Sequence, residues 1–375
     1  MPDVDVASDL KRADALRELG RAVDAIEILG RVVASEPANH QALCQLAQCH
    51  NATKDYPTML RAANRAIAAN PHSEWAHRLR SLALHNMRRH PEAVAAARRS
   101  IELAPNAWRP HMILADAALV GTKPSDKKMA YEAALRALQI APHAADAHVT
   151  MGRVLLNIGE LRHARRYFAH ALALDPSNAA ALTNLAVTDL RGGKVVAAGR
   201  GFGAVAAANP TEDMYARNVG ASAFVWMQSA LDAGVVIVVT ALVVAMVVPP
   251  LTGALVTLAL LVAYVTVGTI AYRRLPAPMR RLALRGRSPM VTRVNVGVTA
   301  GVLAFGLWIA ATEAFGSPPA TYIAPLLLWS LALLWRLRIR VEPRLHQTRQ
   351  RRRYRAEVFG VGGQPSIVTP RRPLD

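Results

Sequence analysis

The stretch HAADAHVTMGRVLLNIGELRHARRYFAHALALDP, residues 143–176, is 34 residues long and holds two helical patterns separated by one break. Gly152 and Leu155 share a face of the first pattern, and Ala164, Phe168 and Ala171, spaced by four and three, share a face of the second. Gly159 stands between them, where the chain must turn sharply. Pro176 closes the second pattern, because the residue before a proline is pushed out of the helical region and the ring has no N–H to donate. Small residues on the facing sides let two helices approach closely, so the stretch reads as a helical hairpin.

Working outward, prolines recur at Pro37, Pro71, Pro105, Pro142, Pro176 and Pro210, with spacings of 34, 34, 37, 34 and 34 residues. Twelve positions before them stand Ala25, Met59, Ala93, Ala130, Ala164 and Ala198. Eight before stand Leu29, Ala63, Ala97, Ala134, Phe168 and Phe202, and five before stand Val32, Ala66, Ser100, Ala137, Ala171 and Val205. These offsets place three residues per unit on one helical stripe. The 37-residue unit keeps both flanking patterns in phase, so its three extra residues are expected in a loop around Gly121 to Ser125, where they cost little entropy.

The periodic pattern, from about Val6 to Pro210, resembles the tetratricopeptide repeat family. The unit quoted first matches most fully, with Gly152, Leu155, Gly159, Ala164, Phe168, Ala171 and Pro176 at consensus positions. Other units replace the first glycine with Ala13, Ala47, Ser81, Ala115 and Ala186. The resemblance implies an all-α solenoid of stacked hairpins with a concave face that holds extended peptides or partner helices. Residues expected to line it are Gln48, Asn51, Arg78, His85, Asn86, Arg109, Asp116, Arg153 and Asn157. After Pro210, Thr211 is a candidate N-cap, with Glu212 and Asp213 in the first turn, for a helix that covers the open end of the array. The repeat domain is thus expected over residues 1–232.

Beyond it the composition changes. Ala233 to Tyr272 is a run of 40 residues without a charge, broken by Pro249 and Pro250. Two helices, about Ala230–Val248 and Leu251–Tyr272, each approach the ~20 residues that cross ~30 Å of hydrocarbon. A third span is expected over about Val294–Thr312 and a fourth over about Tyr322–Trp335, giving a four-helix transmembrane domain at residues 233–336. Of the net charge of +19, residues 1–232 supply only 27 Lys+Arg against 22 Asp+Glu, whereas residues 233–375 supply 18 against 4. Arg273, Arg274, Arg280, Arg281, Arg285, Arg287 and Arg293 lie between the second and third spans, and nine more arginines follow the fourth, from Arg336 to Arg355. The loops on the other side carry none. By the positive-inside rule both termini face the cytoplasm of a multi-pass cell-membrane protein. Residues 337–375 are expected as a basic juxtamembrane segment and disordered tail. Arg336, Arg338, Arg349, Arg351, Arg352 and Arg353 are candidates for anionic-lipid contact. The same placement argues against nucleic acid as the partner of this charge.

Chemistry is hard to find. No H-E-x-x-H, P-loop, G-x-S-x-G or four-ligand Cys/His set occurs, so neither an enzyme nor a metal or cofactor site is expected. Cys44 and Cys49, five apart, suit neither a disulfide nor zinc and read as small buried residues. His72/His77 and His143/His148, also five apart, are expected at the surface between repeats. Gly199, Gly201 and Gly203 lie inside a helix beside Phe202, not after a strand, which argues against nucleotide binding. The expected function is a membrane-anchored scaffold or adaptor that takes a protein or peptide in its groove, with an accessory subunit of a membrane transporter or secretion or envelope complex as the alternative.

Overall fold

Pro37, Pro71, Pro105, Pro142 and Pro176 punctuate helices where the sequence places them. The computed structural model of the protein describes residues 5–208, 232–244, 247–274, 304–312, 315, 330–331, 348–360 and 363, and every regular element among these residues is helical. Six hairpins follow in order: α1 (Val6–Glu18) with α2 (Ala22–Ser35), α3 (His40–Ala52) with α4 (Tyr56–Ala69), α5 (Glu74–Asn86) with α6 (His90–Leu103), α7 (Trp108–Leu119) with α8 (Pro124–Ile140), α9 (Ala145–Ile158) with α10 (Leu161–Leu174), and α11 (Ala179–Arg191) with α12 (Val195–Ala208). The chain forms two compact units, one of Met1–Asn178 with Arg351–Asp375 and one of Ala179–Gln350.

Helix starts are set locally. Asp5, Asn39, Asp55 and Ser73 are N-caps whose side chains accept the backbone N–H groups of Ser8, Ala42, Thr58 and Ala76 at 3.2, 2.9, 3.2 and 3.3 Å. Hairpin junctions carry a further device. The Nε2 atoms of His77, His111 and His148 bond the carbonyls of Pro71, Pro105 and Pro142 at 3.1, 3.0 and 2.7 Å, with Nε2–H as the donor. His77 and His148 are therefore buried, at 8% and 1% exposure, and not the surface residues the sequence predicts. Burial is tolerated because the proline carbonyl, which has no helical donor, supplies each ring with a partner. His72 and His143 are exposed.

Second helices bury the stripe read from the sequence. In the first five repeats all fifteen of its members, from Ala25, Leu29 and Val32 to Ala164, Phe168 and Ala171, have no exposed surface. Volumes are matched across each hairpin. Where α10 carries Phe168, α9 carries Gly152, and a Cβ on Gly152 would lie 2.5 Å from the Phe168 ring. In the sixth repeat the small residue sits on the other helix, since a Cβ on Gly201 would fall 2.9 Å from the Cβ of Ala186. That contact accounts for a glycine in α12 on packing grounds. Ser81 and Ser100, both fully buried, donate their hydroxyls to the carbonyls of Ala93 at 2.7 Å and Glu74 at 3.0 Å, so the third repeat loses no hydrogen bonds by carrying serines at these crossings.

The three extra residues of the fourth repeat are helical, which corrects the expected loop. They lengthen α8 to 17 residues, where every other second helix has 14. Pro124 occupies the first turn, where its missing N–H is no loss, and the Asp126 carboxylate accepts the N–H of Lys123 at 3.0 Å. The insertion thus supplies its own start signal.

In the second unit α11 and α12 are followed by α13 (Asp232–Val244), α14 (Pro250–Arg274) and α15 (304–312). Val238, Ala241, Leu242 and Ile309 form a buried apolar cluster with Tyr264 and Phe305 packed on it. Gly306 lets α15 approach Leu261, whose side chain would be 2.7 Å from an added Cβ. Other faces stay apolar yet exposed, with Leu251, Leu255, Leu258, Val262 and Val265 on α14 and Leu307 and Trp308 on α15. Among the described residues one helix, Leu251–Ile270 within α14, is long and apolar enough to cross a membrane, and Asp232–Val244 is a shorter apolar helix. The segment 211–231, expected as a capping helix, lies outside the described residues, as do most of the third and fourth expected spans. Residues 348–359 form a last helix, α16, most of which belongs to the first unit.

The glycine packing gives a paired test. Gly152→Ala should destabilise the protein by about 1–3 kcal/mol through overpacking against Phe168. Gly30→Ala, at an exposed position of α2 with nothing within 4 Å of the added Cβ, should stabilise by roughly 0.5–1 kcal/mol. Urea midpoints of the two variants check this, and equal midpoints would contradict the volume matching.

Candidate partner-binding groove

Within the first unit each first helix packs on the next first helix as well as on its flanking second helices, in the order α1, α3, α5, α7, α9. Close contacts among first helices put them on the shorter arc of the stack, so their outward faces line its concave side. The structure carries all nine predicted groove residues on these helices or at their ends.

Neighbouring repeats join them in pairs. Arg153 donates from its guanidinium to Asp116 Oδ2 at 3.0 Å, a bridge from α9 to α7 that spans the insertion. Asn86 Nδ2 meets Asn51 Oδ1 at 3.5 Å between α5 and α3, the outer limit for a hydrogen bond. Arg78 Nε donates to Glu74 Oε2 at 3.2 Å within α5. Gln48 and His85 are half-buried, whereas Arg109 and Asn157 are exposed, and the Arg109 guanidinium lies 4.6 Å from the centroid of the Trp108 ring. Glu74, Trp108 and His90, whose ring centroid is 6.2 Å from that of His85, complete the surface and were not anticipated. Glu74–Arg78 is an i,i+4 pair that the sequence displays, whereas the His90 contact comes from tertiary packing.

Burial dominates the electrostatics at the centre. It pushes the Asp116 carboxyl above the ordinary carboxylate range, against the pull of Arg153 and then His85. It also holds the His85 imidazole below its usual value, against Asp116. Asp116 Oδ1, His85 Nδ1 and His90 Nδ1 are buried without a hydrogen-bond partner. Since Arg78 and Arg153 already have carboxylate partners, the groove does not require an acidic ligand.

The arginines assigned to lipid fall into three groups. Arg336 and Arg338 lie outside the described residues. Arg349, Arg352 and Arg353 are exposed on α16, and Arg351 is half-buried with its methylenes against Gly159. Cys44 and Cys49 are buried free thiols, raised by burial to about 12 and about 11. Among the described residues no group of three His, Cys, Asp or Glu could hold a metal ion.

The tetratricopeptide repeat family model matches residues 10–74 and 149–213. The N-terminal part is therefore built of tetratricopeptide repeats. Similar solved structures include a tetratricopeptide repeat protein from Parabacteroides merdae, at 11% identity over 58% of this chain and 84% of that one, with a TM-score of 0.51. The Cut9–Hcn1 hetero-tetramer of the APC/C is similar at 16% identity over 58% of this chain and 42% of that one, with a TM-score of 0.50. A thermophilic repeat protein of Thermus thermophilus aligns at 17% identity over 49% of this chain and 98% of that one, with a TM-score of 0.45. The first two likenesses show the fold of the repeats. No curated protein matches the chain significantly.

The histidines predict a pH response. His50, His77, His85 and His148 are all held below the usual 6.5, chiefly by burial. Their unfolded forms bind protons more readily than their folded forms, so the stability they contribute is complete above about pH 6.5 and is lost as pH falls toward their folded values. Asp116, shifted upward, has the opposite sign, its contribution being present at low pH and lost as pH rises above the carboxylate range. The thermal midpoint should therefore fall between about pH 7.5 and 5.5. His148→Gln, which keeps a donor for the Pro142 carbonyl, should flatten that fall. A midpoint independent of pH would contradict the burial assigned to these rings.

Proposed function

We propose that this protein is a membrane-anchored scaffold or adaptor whose tetratricopeptide groove faces the cytoplasm and holds an extended peptide or a partner segment. The observation that carries the reading is the polar row on the inner face. It runs from Gln48 and Asn51 through Asn86, His85 and Asp116 to Arg153 and Asn157, with Asn86 meeting Asn51 and Arg153 meeting Asp116 across neighbouring repeats. A peptide backbone laid along the row offers amide donors and carbonyl acceptors in alternation to its exposed and half-buried amide side chains. Asn and Gln suit that role because each both donates and accepts.

Anchoring is supported by α14, whose apolar side chains are mostly exposed, and by the uncharged run on either side of Pro249 and Pro250. Exposed leucine and valine over a full helix is unfavourable in water and favourable in hydrocarbon. The orientation rests on the arginines, sixteen of which fall in the two segments assigned inside. Four spans return both termini to that side. The arginines of α16 that remain exposed, Arg349, Arg352 and Arg353, are suited to attract anionic headgroups.

Binding is tested with the exposed groove residues, because reversing Arg153 would leave Asp116 buried beside a like charge. Arg109→Glu with Asn157→Lys should remove partners that co-purify from solubilised membranes while shifting stability by no more than about 0.5 kcal/mol. An unchanged set of partners would remove the groove from the account. Topology is tested by impermeant thiol reagents, since the native thiols are buried and protonated and stay silent. Ser317→Cys should label in intact cells, and labelling of Ser288→Cys from outside would overturn the orientation.

A further inference from the structure

Helix α16 meets the repeats along one stripe. Arg351, Tyr354, Val358 and Phe359 are half-buried, whereas Arg352, Arg353, Arg355, Ala356 and Glu357 are exposed. Offsets of three, four and one put the half-buried residues on a single helical face. The receiving surface is not the inner groove. It is the edge where the first helices of repeats four and five turn into the second. Tyr354 Oη donates to the Thr122 carbonyl at 3.1 Å, and the Lys127 ammonium lies 5.6 Å from the centroid of the Tyr354 ring. Phe359 packs edge-on against Tyr131, with centroids 5.0 Å apart and planes at 86°. Arg355 Nε donates to Glu160 Oε1 at 3.2 Å. Gly159, at φ +102°, closes α9, and a Cβ there would lie 2.5 Å from Cδ of Arg351.

We propose that this edge is a second binding site of the solenoid, built for a short basic helix with aromatic anchors, and that its occupant is the chain's own segment 351–359. Three features show construction and not chance contact. Thr122 belongs to the turn that leads into the extra helical residues of the fourth repeat, so the acceptor for Tyr354 lies beside the one insertion in the array. Lys127 is 4% exposed and donates to the Leu119 carbonyl at the open end of α7, which fixes a cation beneath an aromatic ring. Lys127 stands fifteen residues before Pro142, and the positions fifteen before the prolines of the other repeats in this unit are Ala22, Tyr56, His90 and Leu161, none of them a lysine. Glu160, 15% exposed, contacts His163 at 3.3 Å and gains Arg355 from α16.

The helix in turn depends on the dock. Segment 348–359 carries five arginines and one glutamate in 12 residues. A peptide of that length is marginal as a helix in water, and like charges three and four apart weaken it further. Docking removes part of that penalty by pairing Arg355 with Glu160 and covering the two aromatic rings. The site is separate from the inner face and stands whether or not that face takes a peptide.

Hydrogen exchange of the intact protein tests the proposal. Amides of residues 351–359 should exchange at least about tenfold slower than an unstructured chain. Tyr354→Ala with Phe359→Ala should abolish that protection and speed exchange in residues 120–126, with the unfolding midpoint of the repeats unchanged. Ala356→Ser with Glu357→Gln, on the exposed side, should leave both segments protected. Unstructured exchange rates in the unmodified protein, or equal effects of the two double variants, would overturn the proposal. Protection that disappears on tenfold dilution would also overturn it, by making a second copy the occupant.

Discussion

In the first unit the paired helices of every hairpin must come close together before anything else can pack. Each hairpin can close only if the summed volume at its central crossing is small, and the chain meets this with Ala, Ser or Gly on one helix or both. Gly152 facing Phe168 is one solution, and Ala186 facing Gly201 in the second unit is another. Burial of apolar surface at these contacts, with the dispersion that close packing adds, holds together a stack in which each repeat packs on its neighbours. The buried serines of the third repeat show that the rule concerns volume and satisfied hydrogen bonds, not apolarity alone.

Once the second helices are committed to that packing, the first helices have a face left over for recognition. Its polar groups are kept half-buried by curvature, which raises the penalty for leaving them unpaired and narrows the ligands that can satisfy them. Two of the three groove arginines hold a neighbouring carboxylate and so act as parts of the surface's own network.

The periodic part of this architecture was legible in the sequence because translation along a solenoid repeats one environment. Proline spacing located the hairpin junctions, and the stripes at fixed distances before each proline are the residues the structure buries. Features that depend on a single place in the array were not legible. The histidines at 77 and 148 are set by a carbonyl six residues earlier, a contact that no helical face reveals. The fourth-repeat insertion reads as loop in a loop-length argument, yet Pro124 and Asp126 were a start signal in plain view. The pairings of Arg153 with Asp116 and of α16 with Thr122, Tyr131 and Glu160 join residues 37 to more than 190 positions apart, which pattern reading along the chain does not reach.

In crystallographic language the first unit is a one-dimensional lattice with a single interstitial. The extra three residues enter at the margin, inside a hairpin, and not between hairpins, so they create no dislocation: the rows of inner positions run on in register, and Arg153 finds Asp116 across the defect. A lattice that tolerates additions at its margin can change that margin freely while its spacing stays fixed. The inner face then behaves as a ruler whose graduations are set by repeat number, and the turn edge as the place where one graduation can be given a distinguishing mark.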